Sequence, residues 1–219
     1  MSLFITFEGG EGSGKSFQAR ALYRKLGRQA IPALLAYEPG YTPLGKKIAH
    51  MLKWNDHIEI SPVAELLLFN ASRVQLAAEV IQPNLAKGTV VICDRYADST
   101  TVYQGYGRGL DLATVKGVNQ VGTLGLMPDL TVLLDIQPEE GLSRQKGKKP
   151  DRFEEEAIAF HHRVHEGYLK LAAEEPERWL VVDATKSKEE IAGIIWERVS
   201  GLLREKRGAQ EGRNPSSKK

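Results

Sequence analysis

The stretch Phe7-Glu8-Gly9-Gly10-Glu11-Gly12-Ser13-Gly14-Lys15-Ser16 decides how the chain is read. Gly9 to Ser16 fits the pattern GxxxxGK[ST], a glycine-rich turn joining a strand to a helix. The glycines let the backbone curl so that successive N–H groups point inward, and the helix N-terminus adds partial positive charge. Together they make a nest for a polyphosphate. Lys15 is placed to reach the β- and γ-phosphates, and the Ser16 hydroxyl to ligate Mg²⁺. The flanks agree: Leu3, Ile5 and Phe7 alternate with Phe4 and Thr6 as a buried first strand would, and Leu22 and Leu26 mark the apolar side of a following helix.

Downstream, strands and helices alternate. Ile31 to Tyr37 reads as a second strand, closed by the turn Glu38-Pro39-Gly40. Thr42 to Lys53 reads as a helix, with Leu44, Ile48 and Leu52 spaced by four. Ser61-Pro62 caps a long helix to about Lys87, with an apolar side through Leu67, Ala71 and Val74 and a kink or early stop at Pro83. Phe69 and Arg73 share another line of that helix, so a ring and a forked cation face one ligand. Thr89 to Cys93 is a continuous apolar run that delivers Asp94 and Arg95 to the carboxyl edge of a sheet. The glycine-rich Gly105-Tyr106-Gly107-Arg108-Gly109 reads as a mobile loop.

Leu130 to Asp135 and Trp179 to Asp183 supply two more strands. Between them lies a basic loop, Arg144 to Arg152, then a helix from about Glu154 to Ala173. Ser187-Lys188-Glu189-Glu190 is a capping box opening a last helix, with Ile191, Ile194, Ile195, Val199 and Leu202 on its apolar side. The fold expected is α/β: a doubly wound five-stranded parallel sheet flanked by helices, with the P-loop after the first strand, and the resemblance set out below implies the P-loop NTPase kinase type. One domain is expected over residues 1–204, with a mobile basic lid at about 143–153 and a disordered polar tail over 205–219.

Composition agrees with one globular domain: 219 residues, 42% hydrophobic and 26% charged. A net charge of +2 makes no nucleic-acid footprint by itself, so no nucleic-acid partner is expected. The single cysteine, Cys93, has no disulfide partner and ends an apolar strand, which predicts burial. No run reaches membrane-spanning length and no basic leader precedes the first strand, so a cytoplasmic protein without a membrane partner is expected.

Asp94 stands where a phosphate-loop enzyme holds Mg²⁺, directly or through water, and Arg95 where a guanidinium can clamp a second phosphate. Neither Glu11 nor Ser13 brings a cation to the transferring phosphoryl group, which leaves that task to the basic loop. His161 and His165 are four apart, but no third ligand is apparent and no metal site is read there. A guanine-reading NKxD sequence is missing, and Arg95 replaces the glutamate that usually follows the strand-end aspartate of an ATPase motor.

From Leu3 through about Leu203 the chain resembles bacterial thymidylate kinases. The matching blocks are FEGGEGSGKS at 7 to 16, EPG at 38 to 40, NASRVQL at 70 to 76, DRYADSTTVYQGYGRG at 94 to 109, PDLTVLLD at 128 to 135 and DRFE at 151 to 154. The resemblance implies transfer of the γ-phosphoryl group of ATP to dTMP, giving dTDP and ADP. It assigns Gly9, Gly10, Glu11, Gly12, Ser13, Gly14, Lys15 and Ser16 to the ATP phosphates, and Ser16 and Asp94 to Mg²⁺. It puts Phe69 against the thymine ring, Arg73 on the carbonyl edge of the base, Thr100 near the base and Arg95 on the dTMP phosphate. Tyr103 would crowd the ribose 2′ position, and Glu38, Ser99 and Gln104 would complete the acceptor site. Arg152, with Lys148 or Lys149, would close over the phosphoryl group. A homodimer formed through helices is also implied.

Three positions depart from the family pattern. Tyr37 stands for an arginine before Glu-Pro-Gly, Tyr41 for a second glycine after it, and Ala49 for an arginine in the next helix. All three are expected near the acceptor site. They keep two alternatives open: a related deoxynucleoside monophosphate kinase with another acceptor, and a catalytically weak nucleotide-binding regulatory protein.

Overall fold

The five residues of β1 (Phe4–Glu8) are all buried, a pattern that only a strand covered on both faces accommodates. The computed structural model describes residues 2–54, 59–145 and 150–211. After β1 come α1 (Lys15–Arg28), β2 (Ala33–Tyr37), α2 (Pro43–Trp54), α3 (Pro62–Leu76), a π-helical segment at Ala77–Ile81, α4 (Gln82–Ala86), β3 (Val90–Asp94) and α5 (Ala97–Thr100). A second π-helical segment, Thr101–Gly107, leads to α6 (Leu112–Gly122), β4 (Leu130–Asp135), α7 (Pro138–Ser143), α8 (Ile158–Glu174), β5 (Trp179–Asp183) and α9 (Lys188–Glu211).

The strands form one five-stranded sheet in the order β2-β3-β1-β4-β5, with every pairing parallel. Phe7 pairs with Asp94, so β1 and β3 end level and the phosphate loop emerges beside the aspartate. Alternation along β1 feeds two cores. Leu3, Ile5 and Phe7 pack with Leu22 and Leu26 of α1 and with Ile191, Ile195 and Val199 of α9. Phe4 joins Leu76, Ile81, Val91, Cys93 and Tyr96 on the opposite face.

Helix starts follow their sequence signals. Ser61 Oγ accepts the Ala64 N–H at 3.3 Å, with Pro62 opening α3. Ser187 and Glu190 exchange the two capping-box bonds, Glu190 N–H to Ser187 Oγ at 3.2 Å and Ser187 N–H to Glu190 Oε2 at 3.0 Å.

Three expectations change. The apolar side expected on α3 faces outward, with Leu67 53% exposed, while Glu65, Asn70, Ser72 and Arg73 are buried. Periodicity reads hydrophobicity alone, and here the inward side mixes Leu66 and Leu76 with polar residues, among them Arg73, which lines a pocket. The glycines at 105–109 are not a mobile loop: Gly105 and Gly107 end the second π-helical segment, where a Cβ would come within 2.6 Å of Leu112 and Phe160 respectively. Those glycines permit close packing of helices. The polar tail is helical from Glu205 to Glu211 as the end of α9, and residues 212–219 lie outside the described residues. The irregularity expected at Pro83 is present: a π turn at Ala77–Ile81 interrupts the helix just before α4, which carries the proline, a way to accommodate the missing N–H.

Candidate functional site

The loop after β1 takes its shape from glycines. Gly9, Gly12 and Gly14 have φ of 141°, 68° and 93°, conformations that L side chains rarely adopt. Close approach adds a second demand: a Cβ on Gly12 would lie 1.9 Å from the Gly141 carbonyl oxygen, and one on Gly141 would lie 2.2 Å from the Glu11 carbonyl oxygen. The short helix α7, which sequence patterning missed, therefore presses its backbone onto the phosphate loop.

Lys15 opens α1 and turns back over the loop, donating to the Gly10 carbonyl at 2.6 Å and to Ser13 Oγ at 3.2 Å. Burial, and then the neighbouring Arg95 charge, lower its ammonium to about 8. Ser16 Oγ donates to Asp94 Oδ2, so the hydroxyl after the loop and the carboxylate ending β3 are in direct contact. Two hard oxygen donors side by side on a phosphate cleft suit Mg²⁺. The cleft has about 1680 Å³ of empty volume and is walled by Glu11 to Arg20 on one side, by Tyr37, Glu38 and Asp94, and by Arg144, Gln145 and Lys188 on the other.

Next to it lies a smaller pocket of about 410 Å³, lined by Glu38, Pro39, Lys53, Phe69, Arg73, Arg95, Tyr96, Ser99, Thr100, Tyr103, Gln104 and Phe153. The structure thus brings together every residue expected in the acceptor site. The Phe69 ring meets Phe153 at 5.7 Å between centroids. Arg73 is 1% exposed. Its Nη2 lies 2.6 Å from Glu38 Oε1, Nε donates to Glu38 Oε2 at 3.1 Å, Nη1 to Asn70 and Asn119, and Nη2 to Thr100 Oγ1 at 2.5 Å. Burial pushes the Glu38 carboxyl up while Arg73 opposes it.

Arg95 has a φ of 68°, a left-handed conformation that costs a non-glycine residue on the order of 1 kcal/mol or more. Its backbone N–H bonds the Phe7 carbonyl at 3.0 Å, and its guanidinium turns toward the phosphate loop. There it donates to the Gly9 carbonyl, Ser99 and Tyr168 through Nη1, and to Glu11 Oε1 at 2.7 Å and Tyr103 at 3.1 Å through Nη2. Tyr103 donates to the same Glu11 oxygen at 2.7 Å. Glu11 therefore gives its carboxylate to the acceptor side of the loop. Burial would raise its carboxyl, but Arg95, Lys15 and the Tyr103 hydroxyl outweigh that and hold it at about 2.

Sequence reasoning passed over several partners. Glu8 closes β1 wholly buried and accepts from the Tyr96 N–H at 2.8 Å, Ser99 at 2.5 Å and Tyr168 at 2.9 Å. Burial, with Asp98 nearby, lifts its carboxyl from 4.5 to about 7. The available signal was an acid ending an apolar strand, the same signal that marks Asp94. Between pH about 4.5 and 7 the unfolded chain loses this proton while the folded chain keeps it, so the contribution favours folding below that window and is lost through it. Glu8→Gln stays neutral throughout. Urea unfolding at pH 5 and pH 7.5 is expected to show a fall in stability up to about 3 kcal/mol smaller in the variant than in the parent. Equal slopes in the two proteins would rule out Glu8 as the source.

Glu65 is the other hidden hub, accepting from Gln104 at 2.8 Å, Arg108 at 3.2 Å and Arg152. Arg152 is thereby tied to α3 and lines neither the cleft nor the pocket. Lys148 and Lys149 lie outside the described residues. Of the three departures, only Tyr37 lines either space, and it lines the larger cleft, its ring edge-on to Tyr41 at 5.5 Å. Tyr37, Tyr41 and Ala49 are thus not among the residues lining the smaller pocket. His165 Nε2 meets Asp135 Oδ1 at 2.6 Å, and His161 is buried against Phe160.

A phosphate loop on a parallel sheet in this strand order, opening onto a second pocket walled by rings and arginines, defines a P-loop kinase fold. The family model described as thymidylate kinase matches residues 7–195. The chain belongs to the thymidylate kinase family. It is 53% identical over 204 residues to a thymidylate kinase of Dehalococcoides mccartyi strain 195, covering 93% of this chain and 99% of that one. It is 47% identical over 209 residues to that of Roseiflexus castenholzii, covering 89% and 91%. The crystal structure of thymidylate kinase from Ehrlichia chaffeensis superposes with a TM-score of 0.72 at 30% identity, covering 92% of this chain and 98% of that one.

Proposed function

We propose that the protein transfers the γ-phosphoryl group of ATP to dTMP, giving dTDP and ADP. The observation that carries this is the shared wall: Glu38, Pro39, Lys53 and Arg95 line both the cleft and the smaller pocket, so two ligands would meet end to end at cations. Lys15 and the N–H groups of the loop take the donor phosphates. Phe69 offers a face to the acceptor base and Arg73 its edge, held rigid by Glu38, Asn70 and Asn119. Tyr103, fixed between Arg95 and Glu11, leaves little room beside the sugar and favours deoxyribose.

A phosphate monoester is largely anionic near neutral pH, its second pKa being about 6, so the reaction needs no strong general base. Its difficulty is bringing two polyanions together, and Lys15 and Arg95 offset that repulsion. Ser16 and Asp94 would hold Mg²⁺, which would supply positive charge to the donor phosphates. Arg152 exchanges Glu65 for the phosphoryl group as the lid closes, together with Lys148 or Lys149. The protein works in the cytoplasm as a homodimer; none of the described helices is long and apolar enough to cross a membrane. Two helices that pack on each other, α3 and α6, leave Val63, Leu67 and Val121 exposed, the kind of surface a second copy would cover.

A coupled ADP-release assay with ATP, Mg²⁺ and a panel of nucleoside monophosphates tests the reading. Turnover is expected with dTMP above all others. Turnover mainly with another monophosphate, or ATP binding without turnover, would replace it.

A further inference from the structure

Lys53 sits in the last turn of α2 and lines both the cleft and the smaller pocket. The arginines of the pocket are already engaged. Arg73 spends its donors on Glu38, Asn70, Asn119, Tyr96 and Thr100. Arg95 bonds Gly9, Ser99, Tyr168, Glu11 and Tyr103. Among the described residues the Lys53 ammonium has one ion-pair partner, Asp151, at 3.1 Å. An ammonium carries three donors, so this one has capacity to spare.

Asp151 itself is fixed in the turn that leaves the lid. Its Oδ1 accepts the Phe153 N–H at 2.9 Å and the Glu154 N–H at 3.1 Å, while the Arg152 N–H meets the Lys53 carbonyl at 3.4 Å. The lysine is thus held by a carboxylate whose other oxygen already accepts two backbone N–H groups. At 34% side-chain exposure that pairing is weak, and a phosphate dianion entering the pocket competes with it readily. The other lysines of α2, Lys46 and Lys47, are exposed and line neither space.

We infer that Lys53 is a specificity-determining cation that binds the phosphate of the acceptor and so distinguishes a nucleoside monophosphate from the bare nucleoside. This rests on the reading of the smaller pocket as the dTMP site.

Calorimetric titration of dTMP and of thymidine into the parent, Lys53→Met and Lys53→Arg proteins tests it. Losing a charge-assisted contact is expected to weaken dTMP binding by roughly 10- to 100-fold in Lys53→Met. Thymidine, which has no phosphate, is expected to bind all three proteins within about twofold of one another, and Lys53→Arg is expected to recover most of the dTMP affinity. Equal weakening of both ligands in Lys53→Met would make the lysine merely structural and overturn the inference, as would unchanged dTMP affinity. A parent protein that fails to bind dTMP would remove the functional reading itself, whereas a parent that binds it while Lys53→Met matches it would remove only the role of Lys53.

Discussion

Lys15→Ala is expected to leave a folded protein whose kcat is lower by about 10²- to 10³-fold, the scale of losing one electrostatic donor at a transferring group. The expectation of a retained fold has its own physical basis. Lys15 is 7% exposed and its pKa is depressed to about 8, so burying it charged at neutral pH costs stability. Its bonds to the Gly10 carbonyl and Ser13 offset part of that cost. Steady-state turnover and thermal melting of the purified variant check both halves. Near-normal turnover would remove the phosphate loop from the mechanism, and collapse of the fold would show that the lysine holds the loop together rather than serving the ligand.

Arg73→Ala is expected to damage the fold as well as acceptor binding. Removing the guanidinium strands the buried Glu38 carboxylate and takes the Arg73 donor from the Asn70 and Asn119 Oδ1 atoms, and breaking one side of a buried pair costs about 3–5 kcal/mol. At roughly 2–4 °C per kcal/mol for a domain of this size, the melting temperature is expected to fall by around 10 °C. The double substitution Arg73→Met with Glu38→Gln removes both charges together and is expected to recover part of the loss while still binding dTMP poorly. If the double variant melts no higher than Arg73→Ala, the Glu38 pairing is not what the arginine supports.

The strands and the phosphate loop were legible because local rules govern them. The unbroken apolar run at Val90 to Cys93 requires a covered strand, and the glycines at 9, 12 and 14 meet φ values that few other residues adopt. Candidate pairs came from spacing and from the family resemblance: Phe69 and Arg73 do line one pocket, as do Ser99, Thr100, Tyr103 and Gln104. What stayed hidden depends on partners distant in sequence. Glu65 gathers Gln104, Arg108 and Arg152 across |i−j| of 39, 43 and 87, which no window on α3 contains. The orientation of α3 was misread for the same reason. Its apolar side chains Leu67 and Ala71 suggested a core face, while the polar ones turn inward to Tyr96, Thr100 and Asn119 of other elements. Glycines at 105 and 107 looked like flexibility and serve contact, a distinction that only the neighbouring Leu112 and Phe160 rings and branches reveal.

The backbone contact between Gly12 and Gly141 carries one more consequence. With no side chain to act as a cushion there, donor loop and α7 form a single mechanical piece. A clumsy methyl at either glycine would be felt on both sides of that joint, prising the helix off its mount and spoiling the donor's seat in one stroke.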